Sequence, residues 1–296
     1  MDKDAVLVTG GSGFLGRALI AALRGRGQRV VSFDLTPAEG LGDDPGVRAV
    51  AGDIRDPQAV TRAVQDHGVG AIVHLAAMVI PACRERPVLG AEVNMIGHIN
   101  VLEAARAAGI GPVVYTSSIA AHPRPPLYSP ANLYGVYKRA CEEISKVYFL
   151  DHGLTSIGLR PNVVYGPGRE QGETAFVTHA MRAAAEGRRY QMPFTGAMCF
   201  QHVDEVTDIF LRCLDARPEA PVVSDLTTET NTTDEVIAAI RRAVPGADIL
   251  PSDNQRLAPG GLDNSPLRAL LGDWPRVDLD EGTRRTIAHF KALAGA

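Results

Sequence analysis

Hydrophobic positions in the first half of the chain arrive in short unbroken runs separated by longer, periodically spaced stretches. The runs "AVLVTG" (5–10), "RVVSFD" (29–34), "VRAVAGD" (47–53), "AIVHLAA" (71–77), "PVVYTSS" (112–118) and "TSIGLR" (155–160) are rich in β-branched residues. Continuous apolar runs of this length predict strands buried on both faces. Between them lie helical patterns: "FLGRALIAALRGRG" (14–27), a helix opening at "DPQAVTRAVQDHG", "VLGAEVNMIGHINVLEAARAAG" (88–109), and a helix that carries Tyr134 and Lys138 to about residue 151. Asp56 is placed as an N-cap with Pro57 at the first helical position. Strands alternating with helices predict βαβ units, a parallel sheet covered on both sides, and an α/β fold class. After "RPNVVYGPGR" the spacing becomes irregular, with helices expected near 173–186, 203–216, 233–243 and 280–293 among Pro- and Gly-rich connections.

The first strand runs into "VTGGSGFLG". Gly11, Gly13 and Gly16 satisfy G-x-G-x-x-G, and Gly10, Gly13 and Gly16 satisfy the related G-x-x-G-x-x-G. In a strand–turn–helix setting, glycines allow a tight turn and let a pyrophosphate sit on helix N–H groups at the positive end of the dipole. Asp34 ends the second strand 18 residues after Gly16. A carboxylate there accepts hydrogen bonds from the adenosine ribose and repels a 2′-phosphate, which favours NAD over NADP. Arg17 or Arg48 could still serve NADP. The expected architecture is a Rossmann-type doubly wound parallel sheet over 1–166, with a returning segment near 203–225. A smaller substrate-binding lobe is expected from 167–202 and 226–296.

Composition adds mainly exclusions. Of 296 residues 45% are hydrophobic and 22% charged, with a net charge of −4. That balance gives no electrostatic reason to expect nucleic acid or an anionic membrane as partner. No apolar run approaches the roughly 20 residues that span a bilayer, and "MDKDAVLVTGG" enters a strand without the basic region of a signal peptide. Cys83, Cys141, Cys199 and Cys213 lack metal-ligand spacing, so no metal site is expected and the thiols fit a reducing cytoplasm.

With a dinucleotide site in view, "LYGVYK" (133–138) acquires a chemistry. Positions i and i+4 share a helix face, so Tyr134 and Lys138 point the same way. A tyrosine of solution pKa about 10 is a poor base near neutrality unless a cation stabilises its phenolate. Lys138 supplies that cation and can also hold nicotinamide-ribose hydroxyls. Tyr134 then exchanges a proton with a substrate hydroxyl or carbonyl while hydride moves to or from the nicotinamide. Thr116, Ser117 and Ser118 in "YTSS" offer the hydroxyl that orients the reacting oxygen. Tyr137 also neighbours Lys138 and is the rival for the tyrosine role.

These motifs together resemble the extended short-chain dehydrogenase/reductase family, the NAD-dependent epimerase/dehydratase group, over nearly the whole chain. The resemblance implies cofactor contacts from Gly10, Gly13, Phe14, Leu15 and Gly16 in the glycine turn, and from Asp34. It implies further contacts from Asp53 and Ile54 in "GDIRD", from Leu75, Ala76 and Ala77 in "HLAA", from Tyr134 and Lys138, and from Pro161 in "LRPNVVYGPG". Catalysis falls to Ser118, Tyr134 and Lys138, with Asn94 of "NMIGHINVLEAA" at the polar position of the long helix. Ser117 is the alternative to Ser118. Ser12 is read as a phosphate contact, and His74, His122 and His202 as structural residues.

Departures from the nucleotide-sugar pattern shape the functional expectation. Where such members carry "LRFFNVYGPR", this chain has Val163 at the Asn position, with Asn162 adjacent. Where they carry an Arg that clamps a diphosphate followed by Asp, "MCFQHVDE" has Met198 and Cys199. A charged phosphate anchor is therefore missing there. The expectation is an NAD-dependent dehydrogenase acting on a small hydroxylated substrate (a sugar, sugar acid or hydroxy acid), with Ser118, Asn162 and Arg169 as substrate contacts. The alternatives are a sugar or nucleotide-sugar 4-epimerase that retains its NAD, and a non-catalytic NAD-sensing scaffold. The family likeness also implies a homodimer through the helices at 88–108 and 132–150.

Overall fold

The computed structural model describes residues 4–256 and 259–295. The chain forms two compact units, the first comprising 1–161, 209–226 and 264–273, the second 162–208, 227–263 and 274–296. The segment 264–273, read from sequence as part of the smaller lobe, thus clusters with the first unit.

The first unit is built on β1 (Ala5–Thr9), β2 (Arg29–Asp34), β3 (Val47–Ala51), β4 (Val69–His74), β5 (Val113–Thr116) and β6 (Ser156–Arg160). A seventh strand, Val222–Asp225, joins β6 at the edge. The spatial order is Val222–Asp225, β6, β5, β4, β1, β2, β3, and every pair is parallel. This is the Rossmann-type doubly wound sheet, and the order reverses between β1 and β4, the switch point at whose carboxyl-end side such sheets bind their ligands. The helices of this unit include α1 (Phe14–Gly25), α2 (Pro57–Gln65), α3 (Ile80–Glu85), α4 (Pro87–Ala91), α5 (Gly97–Ala108) and α6 (Leu133–His152), with the helix Ser265–Leu271 and the greater part of the helix Val203–Asp215. Asp56 caps α2 by accepting from the Gln58 N–H, as the sequence predicts. On one face of the sheet, Leu7, Phe33, Ile72 and Val113 pack with Val60, Val64, Val101, Leu102 and Ala105 of α2 and α5.

The long helix expected over 88–109 is interrupted. Its pieces α4 and α5 are joined by a single π turn, Glu92–Ile96. The widened turn leaves the Asn94 carbonyl to accept from the Cys141 thiol at 3.1 Å. Just beyond it, Gly97 lets the helix press on Ile54, whose Cγ2 would stand 2.7 Å from an added Cβ.

In the second unit, helices Phe176–Ala185, Thr233–Ala243 and Leu279–Ala294 accompany strand pairs of two or three residues. Val163–Tyr165 and Phe200–His202 run parallel. The core comprises Phe176, Met181, Met198, Ile237, Ile240 and Ile287. Thr232 and Glu235 close a full capping box on the middle helix. Among the described residues, no helix is long and apolar enough to cross a membrane.

Candidate active site

The glycine turn is shaped by close backbone approaches that a side chain would forbid. Gly10 has φ +71, and an added Cβ there would lie 2.8 Å from the Ala76 nitrogen. The Leu75–Ala77 segment therefore runs directly beside the turn, and the Leu75 N–H donates to the Thr9 carbonyl at 3.1 Å. At Gly16 a Cβ would overlap the Gly10 carbonyl oxygen and stand 2.8 Å from Gly11 Cα. Helix α1 starts at Phe14 with Gly13 as its N-cap, without a side-chain cap and without an acid in its first turn. Such an end offers main-chain N–H groups and a positive dipole to an anion. Gly13 is exposed and Leu15 half-buried beside it. The residues present thus fit a dinucleotide pyrophosphate.

Asp34, half-buried at the end of β2, accepts from the Ser12 N–H at 3.0 Å, so its carboxylate is fixed beside the turn. Ser12 Oγ itself accepts from the Ala38 N–H at 2.8 Å and tethers the loop after β2. Asp53 is clasped by Arg55, whose Nη2 donates at 2.6 Å, and this guanidinium holds the carboxyl below its ordinary range. Ile54 is buried against Gly97, with its carbonyl taken by the Asn100 amide at 3.0 Å.

Helix α6 begins at an Asn132 N-cap that accepts from the Gly135 N–H, and it brings Tyr134 and Lys138 onto one face. Lys138 Nζ lies 5.7 Å from the Tyr134 ring centroid, within the range of attraction between a cation and a ring face. Lys138 is buried, and its ammonium donates to the Thr116 carbonyl at 2.7 Å. Burial pushes its pKa below the ordinary lysine range, against the opposing influence of Cys141, Cys83 and Glu142. Tyr134 is half-buried. Tyr137 is turned away from this role, because its buried hydroxyl donates to the Pro87 carbonyl at 2.9 Å.

The two serines separate just as clearly. Ser117 is buried, and its hydroxyl donates to Glu142 at 2.5 Å. Ser118 is half-buried at the N-cap of a 3-10 turn, Ile119–Ala121, and its Oγ accepts from the Ala120 N–H at 3.1 Å. Its own O–H proton remains available to donate. The first turn of α6 lies directly against this 3-10 turn, since a Cβ at Gly135 would overlap the Ala120 carbonyl oxygen. Gly135→Ala should therefore push Ser118 away from Tyr134 and lower turnover by about 10- to 100-fold. Steady-state kinetics beside a melting curve check this, and full activity in a folded variant would contradict it.

Behind the site runs a column of neutral imidazoles. Thr9 Oγ1 is 2.7 Å from His74 Nδ1, the His74 and His98 rings are 5.3 Å apart, and His98 Nε2 is 2.9 Å from Ser145 Oγ. Burial drives both pKa values down, that of His98 to about 3, with Lys138 contributing in the same direction. The site therefore keeps its positive charge on Lys138 rather than spreading it over the histidines.

Asn94 is buried, and its amide nitrogen donates to the Gly90 carbonyl at 2.8 Å and the Met78 carbonyl at 3.1 Å. These bonds lock the side chain, while its main chain holds Cys141, about one helical turn from Lys138. Pro161 closes the first unit, and its carbonyl accepts from the Ile119 N–H at 3.2 Å. Asn162 and Arg169 belong to the second unit. Among the described residues the buried amide nitrogen of Asn162 has no hydrogen-bond partner, and Arg169 Nη2 donates to Thr174 at 2.7 Å. Met198 and Cys199 are buried, so that segment of the second unit presents no charge.

Sequence reading missed one feature, a buried charge network. Glu142, wholly inaccessible, receives Arg160 through Nε at 2.6 Å and Nη2 at 2.5 Å. Arg160 Nη1 reaches to 3.9 Å from Asp225, which also pairs with His122 at 2.7 Å. Removing either partner of a buried pair of this kind costs about 3–5 kcal/mol, because it strands the charge of the other. The available signal was Glu142 itself, an acid eight residues after Tyr134 on the same helix face.

Residues 6–224 match the NAD dependent epimerase/dehydratase family. The chain belongs to that family. Over 310 aligned residues it is 31% identical to a UDP-glucose 4-epimerase of Mycolicibacterium smegmatis, covering 96% of this chain and 98% of that one. It is 36% identical over 183 residues to a D-erythronate dehydrogenase of Cupriavidus necator, covering 53% of this chain and 56% of that enzyme. Among solved structures it resembles the Thermus thermophilus UDP-glucose 4-epimerase in complex with NAD, with a TM-score of 0.78 and 28% identity across 97% of this chain and 99% of that one. The family holds both dehydrogenases and epimerases, and this chain is an enzyme of that extended short-chain dehydrogenase/reductase type.

Proposed function

We propose that the protein is an NAD-dependent dehydrogenase that interconverts a secondary alcohol and a ketone on a small hydroxylated substrate, a sugar, sugar acid or hydroxy acid. The observation that carries this is the buried Lys138 ammonium beside the Tyr134 ring, on a helix whose Gly135 packs against the Ser118 turn. When bound, the nicotinamide ring supplies the hydride acceptor or donor. Ser118 donates its O–H to the reacting oxygen and fixes its orientation. Tyr134, its phenolate favoured by the neighbouring ammonium, takes the hydroxyl proton as the C–H bond breaks, and returns it in the reverse direction. Lys138 holds the ribose hydroxyls. Gly10, Gly13, Phe14, Leu15, Gly16 and Leu75–Ala77 form the pyrophosphate side of the cradle, and Asp34 receives the adenosine ribose. Asp53 and Ile54 border the adenine, and Pro161 borders the nicotinamide.

Buried Met198 and Cys199 favour a substrate without a diphosphate, and Asn162 and Arg169 are its proposed contacts on the second unit. NADH formation with a panel of sugars, sugar acids including D-erythronate, and secondary alcohols tests this. Oxidation of one class supports it, and epimerisation without net NADH formation contradicts it. That second outcome is the 4-epimerase reading, which the likeness to a UDP-glucose 4-epimerase along 96% of the chain favours.

Asp34 favours NAD over NADP. Asp34→Asn should weaken NAD binding by about 10-fold or more, as expected for losing a charge-assisted hydrogen bond, and narrow the preference against NADP. Parallel titrations with the two cofactors check this, and an unchanged ratio would count against the assignment. Exposed Val136, Val147 and Leu150 on α6, with Val88 and Ile96 near α5, support a homodimer through these helices. The four buried cysteines, none in a disulfide, suit the cytoplasm.

A further inference from the structure

We propose that His122 and Asp225 form a positioning pair that sets the Ser118 hydroxyl relative to Tyr134. This rests on the roles assigned above to those two residues. Ser118 caps one end of the Ile119–Ala121 turn, and His122 closes the other, its N–H donating to the Ile119 carbonyl at 3.1 Å. The near end is tied to the β6 side by Ser117 N–H to the Leu159 carbonyl at 2.7 Å and Ile119 N–H to the Pro161 carbonyl at 3.2 Å. The far end is held through the His122 side chain, whose Nε2 lies 2.7 Å from Asp225 Oδ1. Asp225 ends the edge strand, sits opposite Arg160 in the register, and is wholly buried.

Two carboxylates thus grip the turn from either end, Glu142 through Ser117 and Asp225 through His122. Arg160 binds Glu142 and approaches Asp225, and so ties the two grips together. The carboxylate beside Arg160 accepts, so the imidazole donates through Nε2. The turn lies against Gly135, next to Tyr134. A small tilt of the turn therefore redirects the Ser118 O–H, and a misplacement of about 1 Å can cost about 100-fold in rate.

The test compares wild type, His122→Ala, His122→Gln, Ser118→Ala and the His122→Ala/Ser118→Ala double variant. Hydrogen exchange of the 117–122 segment, measured with NAD present, needs no substrate. His122→Ala should speed exchange there by about 10-fold or more, as local opening does. His122→Gln, whose amide can donate to Asp225, should restore protection. With a panel compound that the wild type oxidises, His122→Ala should lower kcat by about 10- to 100-fold, with NAD affinity unchanged. In the Ser118→Ala background the same change should cost less than about twofold, because residues acting as one unit are not additive. Unchanged exchange in His122→Ala, or a fully additive loss in the double variant, overturns the proposal. If Tyr134→Phe keeps full rate, the reading of the reaction fails. The exchange result then decides the clamp on its own.

Discussion

Tyr134→Phe should lower turnover by about 10²–10⁴-fold, the contribution of general acid–base catalysis, with little change in NAD affinity. The substitution removes one oxygen and keeps the ring that faces Lys138 Nζ at 5.7 Å. The helix position, the Asn132 cap and the packing of Gly135 on the Ser118 turn all remain. What disappears is the group that carries the substrate proton. Tyr137 cannot take over, since its hydroxyl is committed to the Pro87 carbonyl. Steady-state kinetics beside an NAD titration measures both quantities, and a phenylalanine variant with full activity would remove Tyr134 from the chemistry.

Lys138→Met has the second large effect and differs in kind, because turnover and NAD affinity should both fall. The ammonium is asked both to favour the phenolate and to hold ribose hydroxyls, and methionine fills the space without doing either. Stability should respond in its own direction. Burial holds the Lys138 pKa below the ordinary value of about 10.4. Below the folded-state pKa both states are protonated, and the cost of burying the charge is felt in full. Between the folded-state pKa and about 10.4 the unfolded chain binds a proton that the folded chain has shed, so wild-type stability from this group rises with pH. Methionine has no such dependence. The melting temperature of Lys138→Met relative to wild type should therefore fall as pH is raised through that window. Melting curves at neutral and alkaline pH check the sign, and a Lys138→Met melting temperature that rises relative to wild type as pH is raised would contradict the burial argument.

The main sheet was legible because each parallel strand is buried on both faces and so reads as an unbroken apolar run, such as "AVLVTG" and "AIVHLAA". The glycine turn was legible because its backbone approaches tolerate no Cβ at Gly10 or Gly16. Asp56 as a helix cap followed from local chemistry alone. The π turn at Glu92–Ile96 was not legible, since a single widened turn barely disturbs helical spacing and the thiol that meets its Asn94 carbonyl, Cys141, lies far along the chain. Short helices such as α3 carry too few residues to show a period. The two- and three-residue strands of the second unit are equally faint.

The candidate site divides in the same way. Tyr134 and Lys138 share a helix face through local spacing, so their juxtaposition could be read directly. Ser117 and Ser118 could not be separated from sequence, because their roles depend on Glu142, 25 residues from Ser117. The His122–Asp225 pair, 103 residues apart, depends on the edge strand returning to β6. Nothing local to either residue announces the other.

The most direct measurement is to denature freshly purified protein and quantify the nicotinamide dinucleotide it releases by chromatography. A dehydrogenase that exchanges its cofactor each turnover releases little and binds added NAD reversibly, and that is the result expected here. Near-stoichiometric NAD released from the protein would contradict it and point instead to the retained-cofactor cycle of an epimerase.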